Sequence, residues 1–138
     1  MKYVLDTNVV SRVLDGDERV LGPLAAVEPH DVGIPMLVLA ELLFGAEKSG
    51  RREENRRRVQ VVTERFPVLP MGLAIAERYA AVRADVERRG RRKSDFDLVI
   101  ACTALEQGAV LVTNDAALKD GAIVGLVVED WLFDALVR

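Results

Sequence analysis

The chain alternates short apolar runs with longer stretches in which apolar residues recur every three or four positions. The short runs have the length of β-strands, and the longer stretches have the periodicity of amphipathic helices. This alternation is typical of an α/β fold, in which helices cover both faces of a mostly parallel sheet. About five strands are predicted, at the apolar runs Tyr3–Leu5, Val32–Ile34, Val68–Leu69, Ala109–Val112 and Leu126–Val128.

Three helices are predicted with good periodicity, at residues 36–45, 71–89 and 94–107, and a glycine lies near the end of each. The first is unusual because Glu41 is its only charged residue. A helix that is apolar all round is either buried or covered by a partner, and a carboxylate inside it needs a compensating group. Glu41 is therefore a candidate functional acid, and an exposed, solvated glutamate is the alternative.

The apolar side chains of this first helix also predict its orientation. We expect Leu42 to lie on the face turned away from the core, where a second copy or another partner chain would cover it. The opposite face is predicted to carry Met36, Leu39, Ala40, Leu43 and Phe44.

The 138-residue length fits a single domain, residues 1–138, with one sizeable core. No apolar stretch reaches the roughly 18 residues that a membrane span requires, and the N-terminus lacks the pattern of a secretory signal. A cytoplasmic protein with no membrane contact is expected. Cys102 and His30 are the only residues of their types, which excludes a metal site built from several cysteine or histidine ligands.

The net charge of −3 conceals an uneven distribution of charge. Residues 51–93 contain 13 basic and 6 acidic residues, whereas the rest of the chain contains 6 basic and 16 acidic ones. One part of the chain can therefore attract phosphate groups while another gathers carboxylates. Solvated helix faces are the alternative interpretation of the basic segment.

Three aspartates are predicted to meet at one edge of the sheet. Asp6 directly follows the first strand, and Asp115 follows the strand at 109–112 by three residues. Asp97 lies in the first turn of the helix that leads into that same strand. Ligands of open α/β sheets bind beyond the carboxyl ends of the strands. These aspartates, joined by Glu41 if its helix packs nearby, form a candidate site.

Each acid also has a local structural alternative. Asp6 and Asp115 are each placed to cap a following helix, and Ser94 with Asp97 forms the S-x-x-D pattern of a capping box. A cluster of four carboxylates is unfavourable, however, unless a cation compensates the like charges. Oxygen ligands without histidine or cysteine suit hard cations, so the cluster predicts Mg²⁺ or Mn²⁺.

Taken together, these segments resemble the motifs of one known family. The PIN-domain ribonucleases have similar motifs to VLDTN at Val4–Asn8, LAELLFG at Leu39–Gly45, DLVIACTAL at Asp97–Leu105 and LVTND at Leu111–Asp115. The segment GLVVEDW at Gly125–Trp131 resembles the VapC toxins of VapBC type II toxin–antitoxin systems.

The resemblance implies a PIN-like three-layer α/β/α fold and a Mg²⁺- or Mn²⁺-dependent endoribonuclease, usually a homodimer, held inactive by a VapB-type antitoxin. RNA cleavage by a metal-activated water follows from such a site, and single-stranded or looped RNA is the expected substrate because its bases can be splayed out. The implied catalytic and metal-binding acids are Asp6, Glu41, Asp97 and Asp115, with Thr7, Asn8 and Thr113 in supporting roles. Asp97 matches the family pattern better than Asp95, because two residues separate it from Ile-Ala.

The chain departs from the family pattern in two places. Many relatives have an acid followed by phenylalanine a few residues after the last motif, and this chain does not, which leaves Asp120 as an alternative fourth acid. The stretch before Asp97 is also unusually basic. Arg91, Arg92 and Lys93 are therefore predicted to contact RNA.

Two other enzyme or signalling classes are disfavoured. Haloacid-dehalogenase phosphatases need a second aspartate two residues after the first, where this chain has Asn8. Phospho-receiver domains need adjacent acids after the first strand and a lysine at the end of the last strand, where this chain has Glu129. A PIN-like interaction module with little catalysis, working through its antitoxin partner, stays open as the alternative function.

Overall fold

Five short strands form one sheet in the computed structural model, which describes residues 1–133. The strand order is β3-β2-β1-β4-β5, and every neighbouring pair is parallel. The strand prediction is confirmed, although the last strand begins two residues later than expected. The strands are β1 (Tyr3–Leu5), β2 (Val32–Pro35), β3 (Val68–Leu69), β4 (Val110–Val112) and β5 (Val128–Glu129).

Seven α-helices connect these strands within the described residues. The three predicted helices correspond to α3, α5 and α6, whereas α2 and α4 were not predicted. None of the helices in residues 1–133 is long and apolar enough to cross a membrane. The helices are α1 (Thr7–Leu14), α2 (Glu18–Ala25), α3 (Met36–Glu47), α4 (Arg52–Arg65), α5 (Leu73–Arg88), α6 (Asp95–Gln107) and α7 (Ala116–Lys119).

The strand order reverses between β1 and β4. The chain moves outward from β1 to β2 and β3, and then returns to place β4 on the other side of β1. Right-handed crossovers on the two sides of this point put their helices on opposite faces of the sheet. In agreement, α1, α3 and α4 contact one another while α5 packs against α6. The crevice at such a reversal is where open α/β sheets bind ligands.

The core lies where α6 meets the two central strands. Seven consecutive residues of α6, from Leu98 to Ala104, are buried, and so are Val4, Leu5, Leu111 and Val112. Burial of these apolar side chains is the main favourable contribution to folding. It also fixes the start of α6 beside the ends of β1 and β4.

The predicted orientation of α3 is wrong. Leu42 is buried in the core together with Val38 and Ala46, which lie one turn before and after it. The outward face instead carries a stripe at Met36, Ala40 and Phe44. The sequence could not show which face is buried, because a helix that is apolar all round has no polar face to mark the solvent side.

Candidate active site

Asp6 lies at the end of β1 and is the N-cap residue of α1. Its side chain is only 5% exposed. One carboxylate oxygen accepts a hydrogen bond from the Thr7 amide at 2.8 Å, and the other accepts from the Thr113 hydroxyl at 2.6 Å. Burial raises the pKa of Asp6, although these two hydrogen bonds oppose the shift. Asp6 is therefore both a helix cap and a buried acid.

Thr113 connects two of the predicted acids. It is fully buried just after β4, and its hydroxyl donates to Asp6 while accepting the Asp115 amide hydrogen at 3.0 Å. Both functions of this hydroxyl are used, so it fixes the two aspartates relative to each other. Asp115 in turn caps α7 by accepting a hydrogen bond from the Ala117 amide at 2.9 Å.

Asp97 joins this pair from the first turn of α6. Its amide donates to the Ser94 hydroxyl at 3.2 Å, which is the predicted N-cap interaction. Burial, followed by the negative charges of Asp115 and Asp6, raises the pKa of Asp97 to about 6. Three aspartates from separate parts of the chain thus interact electrostatically at the strand-order reversal.

Glu41 reaches the same region through Thr7. The Thr7 hydroxyl donates to the Glu41 carboxylate at 2.9 Å, across the contact between α1 and α3. Thr7 is next to Asp6 in sequence, so a single short segment holds one acid by its backbone and another by its side chain. The structure therefore brings the four predicted acids to one end of the sheet.

The donor set of this site consists of oxygen atoms. Within residues 1–133, no group of three or more His, Cys, Asp or Glu side chains is arranged closely enough to hold a metal ion as it stands. Burial, followed by the negative charges of neighbouring aspartates, raises the pKa values of Asp6 and Asp97. A hard divalent cation fits such a set of carboxylates by its ligand chemistry.

Comparison with known proteins identifies the family of this chain. The sequence matches the PIN domain family over residues 3–124. The chain belongs to the PIN-domain family. The tRNA(fMet)-specific endonuclease VapC of Shigella flexneri is 30% identical over 131 residues, which cover 95% of this chain and 98% of the relative. Ribonuclease VapC2 of Rickettsia felis is 30% identical over 136 residues, with the same coverage.

Solved structures show the same fold. The DNA-bound VapBC structure from Salmonella typhimurium contains a chain with a TM-score of 0.87 and 30% identity, covering 95% of this chain and 98% of that one. VapBC2 from Rickettsia felis, bound to a DNA fragment from its promoter, gives a TM-score of 0.86 at 28% identity, with 95% and 99% covered. The predicted PIN-like fold is confirmed by these matches.

Two asparagines flank the acids of this PIN domain. The Asn8 side-chain amide donates to the Asn114 side-chain oxygen at 3.1 Å, which ties the start of α1 to the loop after β4. Asn8 was singled out from the sequence, but Asn114 was not. Its position directly before Asp115 in the LVTND motif was the signal that could have identified it.

The alternative fourth acid, Asp120, already forms ion pairs with basic residues. Its carboxylate pairs with Lys93 and, at 3.1 Å, with Arg91, and it also accepts the Ala122 amide hydrogen. These contacts hold the pKa of Asp120 well below its usual range. The geometry therefore favours Asp115 over Asp120 as the fourth acid of the PIN domain.

The three predicted RNA contacts are not equivalent. The Lys93 side chain is only 5% exposed because it is enclosed with Asp120. Arg91 shares that network and is 44% exposed, whereas Arg92 is 78% exposed and lies 3.9 Å from Glu87. Arg92 therefore has the most solvent-accessible side chain of the three.

Asp95 lies close in sequence to Asp97 but has a different environment. Its carboxylate accepts hydrogen bonds from the Tyr79 hydroxyl at 2.7 Å and from Arg83 at 3.2 Å, both on α5. The preference for Asp97 as the functional acid thus has a structural basis.

Cys102 is fully buried, and burial raises the pKa of its thiol to about 11, so it remains an unreactive part of the core.

Proposed function

We propose that this PIN domain is a Mg²⁺- or Mn²⁺-dependent endoribonuclease that acts as the toxin of a type II toxin–antitoxin pair. The carrying observation is the convergence of Asp6, Asp97 and Asp115 at the strand-order reversal, with Glu41 joined to them through Thr7. The relatives named ribonuclease or endonuclease support RNA as the substrate. A cytoplasmic location follows from the same proposal, since RNA is the target.

In this proposal the four acids bind the cation, and two threonines hold those acids in position. Asp6, Asp97, Asp115 and Glu41 would hold the cation, which supplies Lewis-acid stabilisation of the phosphate and activation of a water. The Thr113 hydroxyl fixes Asp6 relative to Asp115, and the Thr7 hydroxyl fixes Glu41. Preorganised groups of this kind need no rearrangement during the reaction.

The partner proposed for this chain is a VapB-type antitoxin. The solved VapBC structures from Rickettsia felis and Salmonella typhimurium support it, because their toxin chains cover nearly the whole of this chain. The alternative function, an interaction module with little catalysis, has the same partner but does not require the four acids to lie together. The ribonuclease and the interaction module differ in whether the purified chain cuts RNA.

A homodimer is also proposed, with a second copy covering the outer face of α3. Met36, Ala40 and Phe44 lie on successive turns of that face, and the Phe44 side chain is 64% exposed. An apolar stripe of this kind on a solvent-facing helix is typical of an interaction surface.

Cation removal tests the proposed chemistry. The purified protein should cut a pool of single-stranded RNA in millimolar Mg²⁺ or Mn²⁺, and an excess of EDTA should stop the reaction, with activity restored by added cation. Gel analysis of end-labelled RNA measures the rate and shows whether the products carry 5′-phosphate ends. Undiminished cleavage in EDTA would refute the cation requirement, and no cleavage under any condition would favour the interaction module.

Arg92→Ala is expected to weaken RNA binding about threefold to tenfold and to lower the salt dependence of binding by roughly one counterion. The exposed guanidinium contributes mainly electrostatic attraction to phosphate. Fluorescence anisotropy in EDTA, at several salt concentrations, separates this effect from cleavage. Lys2→Ala is the control, because Lys2 precedes β1 and therefore lies at the opposite edge of the sheet from the acids. Equal salt slopes for Arg92→Ala and the parent would show that Arg92 faces away from RNA.

A further inference from the structure

Gly45 lies inside α3, two residues before its end, and its backbone does not require glycine. Its φ angle is not positive, and a Cβ atom at this position would meet nothing within 4 Å. Glycine in a helix interior is destabilising relative to alanine. Neither helix geometry nor close packing explains why position 45 is a glycine. The explanation we consider is the open space next to it.

That space is a cavity of about 250 Å³ next to the acids. Thr7 and Glu41 belong to both the acidic site and the cavity wall, so the two are continuous. Buried apolar side chains form its floor, and polar side chains surround them. The floor consists of Leu42, Ala46 and Val59, and the polar lining consists of Thr7, Ser11, Asp15, Glu41, Asn55 and Arg58.

A side chain at position 45 would occupy this cavity. Residues 41 and 45 are four apart and share one face of α3. Helical side chains lean toward the N-terminus of their helix, so a larger residue at 45 would extend back toward Glu41. Glycine leaves this region open.

The walls of the cavity are held by contacts outside the acidic site. Arg58 of α4 donates a hydrogen bond to the Leu14 carbonyl at the end of α1. Asn55 donates to the Ser49 hydroxyl at 2.9 Å, which fixes the turn between α3 and α4. The cavity is therefore formed by the folded chain itself, without a ligand.

We propose that this cavity binds one unstacked nucleobase of the RNA, beside the phosphodiester bond at the acids, and that Gly45 keeps it open. The inference rests on the proposed ribonuclease function and deepens it. Single-stranded RNA is recognised by splaying out bases and hydrogen-bonding their edges. The apolar floor suits the faces of a base.

The polar lining suits the edge of that base. The Ser11 hydroxyl makes no hydrogen bond to other residues in 1–133, and the Asp15 carboxylate can accept hydrogen bonds from base amino groups. The volume is below the 300–1,000 Å³ typical of sites for drug-sized ligands. The cavity therefore has room for one base rather than for a folded RNA element.

Gly45→Leu fills the cavity and tests the proposal. Gly22→Leu is the matched control, because Gly22 also lies inside a helix, has nothing within 4 Å of its Cβ position and is outside this cavity. The substrate is an RNA cut by the parent, together with versions carrying one abasic nucleotide at each position around the cleavage site. Gly45→Leu is expected to slow cleavage of the intact RNA at least tenfold, while Gly22→Leu matches the parent.

The abasic series identifies the base that enters the cavity. For the parent, removing the base at one position should slow cleavage about tenfold. For Gly45→Leu, removing that same base should change nothing further, because its site is already filled. Binding of the RNA in EDTA should show the same loss. Gly45→Ala, which adds only a methyl group, should lie between the parent and Gly45→Leu, and thermal melts establish that each variant is folded.

Several outcomes overturn the nucleobase proposal without touching the ribonuclease function. Parent-like cleavage and abasic sensitivity in folded Gly45→Leu would show that no base enters the cavity. Normal cleavage combined with weakened inhibition by the antitoxin would assign the cavity to a protein segment. An inactive parent enzyme would instead be a failure of the proposed function itself.

Discussion

Asp6→Asn is expected to reduce RNA cleavage about a thousandfold while the protein remains folded. The substitution removes the charge of the most buried of the four acids and preserves the shape of the side chain. Asparagine still accepts the Thr7 amide hydrogen, so the N-cap of α1 survives. Initial rates on a labelled RNA, with melting curves for both proteins, measure the effect.

Asp17→Asn is the matched control for this experiment. Asp17 is also an N-cap aspartate, at the start of α2, but its carboxylate pairs with Arg19 and is not part of the cluster. The Asp17→Asn variant should cleave RNA at the parent rate. A parent-like rate for Asp6→Asn would reduce Asp6 to a helix cap and remove it from the catalytic residues.

Asp97→Asn is expected to stabilise the metal-free protein at neutral and higher pH. The pKa of Asp97 is about 6 in the folded protein, against 3.8 ordinarily. The native state therefore binds the additional proton between about pH 4 and 6, and the free energy of unfolding falls as pH rises through that window. The shift corresponds to about 3 kcal/mol, which solvent screening at this partly exposed site reduces to about 1 kcal/mol.

Urea denaturation in EDTA at pH 4 and pH 8 checks this prediction. The variant should be about 1 kcal/mol more stable than the parent at pH 8, and most of this difference should be lost near pH 4, where the carboxyl group is protonated in the native state and about half protonated in the unfolded chain. The variant should also lose most of the stabilisation that Mg²⁺ gives the parent. A variant that is less stable at pH 8 and keeps the full Mg²⁺ effect would mean that Asp97 mainly supports the start of α6.

The sequence was most informative where two independent patterns agreed. β1 and β4 were predicted from apolar runs, and Asp6 and Asp115 follow them at the positions where parallel strands end. The capping pattern at Ser94 correctly predicted where α6 begins. It therefore also predicted that Asp97 lies in the first turn of that helix. These features are local in sequence, and the reversal of strand order brings them together.

The sequence was least informative where local patterns conflicted with the fold. α2 contains Gly22 and Pro23, which read as a turn, and α4 buries only Val59 and Val62 among many charged residues. The partners of Lys93 were also not predictable. Its pairing with Asp120 depends on two loops that lie far apart in sequence, and a basic run looks the same whether it is solvated or paired.

The hydrogen bond between Thr113 and Asp6 joins two segments that are far apart in sequence, because 107 positions separate the residues. β1 is made first during translation, but β4 can pair with it only after nearly all of the chain has left the ribosome. A nascent chain that ends just before residue 113 contains Asp6, Glu41 and Asp97, but it lacks both the Thr113 hydroxyl that binds the second oxygen of Asp6 and the fourth acid, Asp115. An incomplete chain is therefore expected to lack the assembled acidic site until residues 110–115 have been added.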